Sequence, residues 1–165
     1  MSASSSSSST SGTIVEKMNT NEIEMYMKTD RQIAKYYGGV LAKDLLPDTA
    51  VKPGFYIVNQ DSSNKEGSHW IVIFVGNNQI TEYFDPLGKA PLTYFRDYMR
   101  LQSQIYQYNM KRCQNYFSNL CGQYCLFYCY FRARSYAMQD ILDMFDEKDL
   151  VYNDQVVYFF YQYTT

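Results

Sequence analysis

The run His69-Trp70-Ile71-Val72-Ile73-Phe74-Val75-Gly76-Asn77-Asn78-Gln79-Ile80-Thr81-Glu82-Tyr83-Phe84-Asp85 decides the fold. Residues 70–75 are almost wholly apolar, as in a strand covered on both faces. Gly76-Asn77-Asn78 supply tight-turn residues, and 80–84 return as a second strand. The pattern predicts an antiparallel hairpin. With the turn centred near Asn77, or between Asn77 and Asn78, partner numbers sum to 154 or 155, which sets residue 69 opposite 85 or 86. His69 and Asp85 are then brought together at the open end.

Working outward, Gly54–Gln60 reads as a strand ended by Asp61-Ser62-Ser63-Asn64. Upstream, Asn21–Lys28 reads as a helix, followed by a second that a Thr29/Gln32 capping box opens and Gly38-Gly39 stops. Downstream, Thr93–Tyr108 has helical character and Cys113–Leu120 is a polar loop. From Cys121 to about Tyr136, aromatic and cysteine residues occupy almost every face of the first three turns, the mark of a helix buried all round. Ser118 or Asn119 is placed to cap it. Helices near 139–145 and 154–161 close the domain, and no internal repeat is present. Residues 2–13 are Ser, Ala, Thr and Gly only, which cannot bury enough apolar surface to offset the entropy of ordering them. The expected organisation is a disordered tail, 1–13, and one domain, 14–165.

Composition narrows the function. The 165 residues suffice for one core, and 46 % hydrophobic with 19 % charged residues is a globular balance. Fifteen Lys and Arg against seventeen Asp and Glu give a net charge of −2, so no global pull towards nucleic acid exists. No apolar run is long enough to span a membrane, and the N-terminus lacks the regions of a signal peptide. The four cysteines, clustered between 113 and 129, do not resemble a secreted disulfide framework, which points to a reducing intracellular compartment. Cys121, Cys125 and Cys129 are spaced by four and form a row on one helix face, so they cannot surround a tetrahedral metal.

A thiol nucleophile needs a base, a group to hold that base, and donors for the developing oxyanion. Cys121 stands at the predicted start of a buried helix, where unpaired N–H groups and the helix dipole favour thiolate. Its own N–H and that of Gly122 would face an attacked carbonyl, and Gly122 leaves space for a substrate backbone. His69 is the only imidazole, with Asp85 beside it to fix its tautomer and favour imidazolium. Other readings coexist with this one. A histidine at a strand end can be structural, Asp85-Pro86-Leu87-Gly88 can simply start a turn, and buried cysteines such as Cys125 and Cys129 are usually inert.

Gly67-Ser68-His69-Trp70, Tyr83-Phe84-Asp85-Pro86-Leu87-Gly88, and Gln114 seven residues before Cys121-Gly122-Gln123-Tyr124-Cys125 together resemble the adenain family. These are the maturation cysteine proteases of adenoviruses, with relatives in virophages and Maverick/Polinton elements and more distant ones among deSUMOylating proteases. Tyr36-Tyr37-Gly38-Gly39-Val40, Asp44-Leu45-Leu46-Pro47 and Ile57-Val58-Asn59 extend the likeness, which covers about residues 29–162. It implies an α+β, papain-like cysteine protease fold in permuted order (His, Asp, Gln, Cys), with a mixed sheet packed between helices. It also implies Cys121 as nucleophile, His69 as base and acid, Asp85 as orienter, and Gln114 as an oxyanion donor. Trp70 resembles a family Trp that walls a narrow cleft for glycine-containing segments. Adenoviral members carry Glu at the position of Asp85.

The function this implies is a cysteine endopeptidase processing capsid or core precursors at glycine-containing sites during maturation of a virus or virus-like particle. It would act in host cytoplasm or nucleus and travel in the virion. Competing readings are an isopeptidase removing ubiquitin-like (SUMO-type) modifiers, and a non-catalytic capsid or DNA-binding protein with a protease-like fold. The expected partner is a polypeptide substrate, the protein acting as a monomer without a required cofactor. Adenoviral members are stimulated by DNA and by a disulfide-linked peptide. Arg96, Arg100, Lys111 and Arg112, interleaved with Tyr98, Tyr106 and Tyr108, offer a candidate patch for weak nucleic-acid binding, which a solvated helix face explains equally well. No cysteine here matches the peptide-linking one.

Overall fold

The computed structural model describes residues 15–165, so the expected Ser-rich tail lies outside the described residues. Five strands form one sheet in the order β1 (Tyr37–Ala42), β2 (Gly54–Asn59), β3 (Trp70–Val75), β4 (Ile80–Phe84) and β5 (Ile105–Tyr108). The two outer pairs, β1 with β2 and β4 with β5, are parallel, and the central pairs are antiparallel. Alternation across β3 sends Trp70, Val72 and Phe74 to one face and Ile71, Ile73 and Val75 to the other. Helices α1 (Thr20–Thr29), α4 (Cys121–Ala133), α5 (Met138–Leu142) and α6 (Leu150–Thr164) supply the core on the first face. Helix α3 (Thr93–Gln102) covers the second through Phe95 and Met99. The architecture is therefore α+β with a mixed sheet between helices. None of the described helices is long and apolar enough to cross a membrane.

The hairpin strands match the expected bounds, but their register does not. The pairs Val72↔Phe84, Ile73↔Tyr83, Phe74↔Glu82 and Val75↔Thr81 sum to 156, which projects 69 opposite 87 and 71 opposite 85. The turn is longer than expected. Gly76 N–H donates to Ile80 C=O (3.1 Å), and Gln79 takes a positive φ of 66°, so the turn centres on Asn78. His69 and Asp85 still meet because they are diagonal neighbours just past the paired segments, within reach of side chains of this length.

Three other expectations need correction. The second helix, α2 (Arg31–Ala34), is capped by Asp30, whose Oδ1 accepts from Gln32 N (3.1 Å) and Ile33 N (3.0 Å), and not by a Thr29/Gln32 box. Gly38 and Gly39 lie in β1, beyond that helix; a Cβ on Gly38 would sit 2.5–2.7 Å from the Tyr56 ring, so close strand packing is what requires the glycine. The segment 93–108 is a helix only to Gln102. A Ser103–Thr81 hydroxyl pair (2.6 Å) ties the chain to β4, and Ile105–Tyr108 then continues as an edge strand with period-two burial. Two members of the candidate basic patch have partners within the chain. Lys111 Nζ donates to the carbonyls of Leu142 (2.8 Å) and Phe145 (2.6 Å), and Arg100 lies near Asp97 and over the Tyr106 ring.

Helix α4 is buried from Cys121 through Cys129, as its composition predicts. A polar clamp fixes its height over the sheet. Arg132 forks onto buried Glu82 of β4, with Nε 3.0 Å and Nη2 2.9 Å from Oε2, and Tyr128 O–H also donates to Glu82. Phe84 stacks on Tyr128 at 4.6 Å between centroids. The first residue of α4 is thereby set against the open end of the β3–β4 hairpin.

Candidate active site

The hairpin end presents His69 with its Nε2 2.7 Å from Asp85 Oδ1. Asp85 is wholly buried (0 % exposed) and its carboxylate is held from several sides. Oδ1 also accepts from Leu87 N (2.8 Å), while Oδ2 has no partner. The backbone of Asp85 is clamped by one amide: Asp85 N–H donates to Asn109 Oδ1 (2.8 Å), and Asn109 Nδ2 donates to Asp85 O (2.7 Å). Asn109 follows β5 directly, so the strand missed in the sequence reading also concealed this residue.

With Nε2 directed at Asp85, His69 shares the cleft with Cys121, and the two groups favour each other's charged forms. Burial alone would disfavour a charged imidazole, but the hydrogen bonds to Asp85 and Cys121 outweigh it and push His69 up to about 9. Burial likewise opposes the Cys121 thiolate, and here the neighbouring His69 and its imidazolium charge, the backbone N–H of Trp70 and the Lys17 charge prevail, holding its pKa below the ordinary thiol value. The other cysteines behave oppositely. Burial pushes Cys113 up to about 12 and raises Cys125 and Cys129 well above their usual range. One thiol of four is thus shifted towards its ionised form. Among the described residues no cluster of His, Cys, Asp or Glu is arranged to hold a metal.

The α4 N-terminus differs from expectation. Its N-cap residue is Leu120, with no side-chain cap; Ser118 Oγ donates to Asn115 O (3.2 Å) and Asn119 Nδ2 to Val15 O (3.2 Å). Side chains therefore leave the first N–H groups of α4 uncapped beside the Cys121 sulfur. The loop before it hangs on the Asp85 turn, since Cys113 N–H and Gln114 N–H both donate to Pro86 O (2.9 and 3.0 Å). Gln114 lines a cleft of about 330 Å³ together with His69 and Cys121. Its Nε2 donates to Ser118 O (3.0 Å) and Oγ (3.2 Å).

Trp70 and Gly122, the two expected substrate-binding residues, both meet the chain's own N-terminal segment. Trp70 is 5 % exposed and packs in the core, its indole N–H donating to Met18 O (3.0 Å). A Cβ on Gly122 would meet Met18 Cβ at 3.0 Å, so the space there belongs to this chain's own N-terminal segment and not to a substrate backbone. That segment, 15–18, forms a strap across the site. Lys17 Nζ donates to Ser68 O, and the Val15 and Met18 carbonyls are bonded by Asn119 and Trp70. Nothing in the sequence pattern marked it. Under it Cys121 is only 1 % exposed, although it faces the cleft.

No protein-family model and no curated protein matches the chain. The fold itself is shared with a protease of known structure. That neighbour is the pS273R protease of ASFV, which superposes with a TM-score of 0.59 over 84 % of this chain and 65 % of its own length, at 17 % identity. A selenomethionine crystal structure of the same protease gives a TM-score of 0.45 over 60 % of this chain and 42 % of that one, at 22 % identity. The chain spans just under two thirds of the first neighbour, and at such identity the likeness is one of fold.

Proposed function

We propose that this protein is a cysteine endopeptidase with Cys121 as nucleophile, His69 as base and acid, and Asp85 as the group that orients His69. The observation that carries this reading is the buried 2.7 Å His69–Asp85 bond in one cleft with Cys121, which stands at an uncapped helix start. The protease neighbour and the adenain-like motif order support it.

The thiolate attacks the scissile carbonyl, and negative charge develops on the carbonyl oxygen. The Cys121 N–H stabilises that oxygen, and Gln114 joins it when its Nε2 exchanges the longer bond to Ser118 Oγ for one to the oxyanion. His69 then gives its proton to the leaving amine, which departs and leaves a thioester on Cys121. Water, deprotonated by His69, releases the acid product. Asp85 holds the ring through its bond to Nε2, so that the other nitrogen is turned towards the sulfur.

The substrate is an extended precursor segment carrying glycine at the scissile bond, and the natural setting is maturation of a viral or virus-like particle. The near-complete enclosure of Cys121 supports the glycine requirement, because a peptide without a Cβ passes most readily between the strap and His69. Incubation with a precursor capsid protein and with a ubiquitin-like fusion tests this. Cleavage of the precursor beside glycine, lost in Cys121→Ala with an unchanged circular dichroism spectrum, is expected. Cleavage of the fusion alone would shift the reading to an isopeptidase, and cleavage of neither to a non-catalytic protein.

A further inference from the structure

We infer that the cleft selects peptides bearing a carboxylate side chain beside the scissile bond, and that Lys89 and Lys17 are the residues that read it. The inference rests on the endopeptidase reading of the same site. The chain carries a net charge of −2, yet the cleft lining includes Lys17 and Lys89 and no Asp or Glu. Apart from the catalytic pair, its other polar members, such as Gln60, Ser68, Ser118 and Asn119, are neutral. Neither lysine forms an ion pair among the described residues.

Both lysines are held in place. Lys17 Nζ is fixed by the Ser68 carbonyl on the strap side. Lys89 lies 6.0 Å from the Tyr116 ring centroid, and Arg112 stacks on the same ring at 3.1 Å while its Nε donates to Gln114 O (3.3 Å). Two lysines therefore line the cleft that holds the nucleophile. In the ionised site the thiolate and imidazolium cancel, and buried Asp85 offsets one lysine. One positive charge from the lysine pair remains in a concave cleft that focuses its field, and Arg112 adds to it from behind the Tyr116 ring. An Asp or Glu side chain one or two residues from the reacting carbonyl satisfies them; a lysine there is repelled.

Two measurements on the intact chain test the inference, one of which needs no proteolysis. Alkylation of Cys121 by iodoacetate and by iodoacetamide reports the local potential as a rate ratio. Lys89→Glu should lower the iodoacetate-to-iodoacetamide ratio by about three- to tenfold at low salt, with Lys89→Gln between. An unchanged ratio in Lys89→Glu overturns the inference. In the second, matched glycine-containing peptides with Asp, Asn or Lys next to the cleavage site are compared. The Asp peptide should have the highest kcat/KM, and Lys89→Glu should move the preference towards Lys. Equal cleavage of all three overturns the inference while leaving the endopeptidase reading intact. No cleavage of any peptide, with an alkylation ratio that responds to Lys89→Glu, overturns the endopeptidase reading and leaves the cationic cleft standing.

Discussion

Asp85→Asn isolates the charge of the third catalytic group from its geometry. The amide oxygen of Asn still accepts from His69 Nε2 at the 2.7 Å separation and from Leu87 N, so the ring keeps its orientation. What disappears is the carboxylate, whose hydrogen bond is the largest influence lifting His69 against its own burial to about 9 and whose charge adds to that lift; a neutral amide in its place favours imidazolium far less. The lift from the ordinary 6.5 to about 9 corresponds to roughly 3 kcal/mol favouring imidazolium. Without the carboxylate, burial again dominates and His69 should titrate at or below about 6.5. At pH 7.5 the wild-type ring is almost fully protonated, whereas about one ring in ten would be charged in the variant. The Cys121 thiolate loses its counter-ion in proportion, so iodoacetamide labelling and peptide hydrolysis at pH 7.5 should both fall on the order of ten- to a hundredfold. His69 is the sole histidine, which makes one imidazole proton resonance a direct readout across a pH series. A wild-type midpoint near 6.5, or the same midpoint in Asp85→Asn, would refute the reasoning.

Wild-type hydrolysis should rise with pH as Cys121 deprotonates below the ordinary thiol value and fall as His69 loses its proton near about 9, which a kcat/KM profile checks. Gln114→Ala should cost about 10² to 10³ in kcat with little change in KM, the expected loss for one oxyanion donor; an unchanged kcat removes it from the site. Removing residues 1–18 should uncover Trp70, the only tryptophan, and shift its fluorescence to longer wavelength, whereas an unchanged spectrum would mean the strap does not cover it. Gly38→Ala should destabilise the fold by about 1–3 kcal/mol in urea titration, since its methyl group meets the Tyr56 ring.

The hairpin was legible because an unbroken apolar run next to turn residues has few other readings, and strands 70–75 and 80–84 follow it residue for residue. Its register was not, because Gln79 carries no turn signal yet adopts a positive φ and lengthens the turn. His69 and Asp85 come together despite that error, because a diagonal pair at a hairpin end, though farther apart than a direct one, is within reach of long side chains. Edge strands β1 and β5 were hidden for separate reasons. Gly38-Gly39 reads as a helix stop, whereas Tyr56 demands a side chain's absence there, and Ile105–Tyr108 is only four residues long and abuts a true helix. The loss of β5 took Asn109 with it, although it clamps Asp85. The strap is the deepest omission. Val15–Met18 has no regular secondary structure, and its place is set by single hydrogen bonds to Ser68, Trp70 and Asn119, partners far along the chain that no local pattern connects.

The central claim is that Cys121 alone among four thiols is the nucleophile. Brief iodoacetamide treatment near neutral pH, followed by peptide mass mapping alongside a hydrolysis assay, tests it most directly. One alkyl group should appear on Cys121, with activity lost in the same proportion and Cys113, Cys125 and Cys129 left free. Faster labelling of Cys113 or Cys125, or hydrolysis that survives full modification of Cys121, would contradict it.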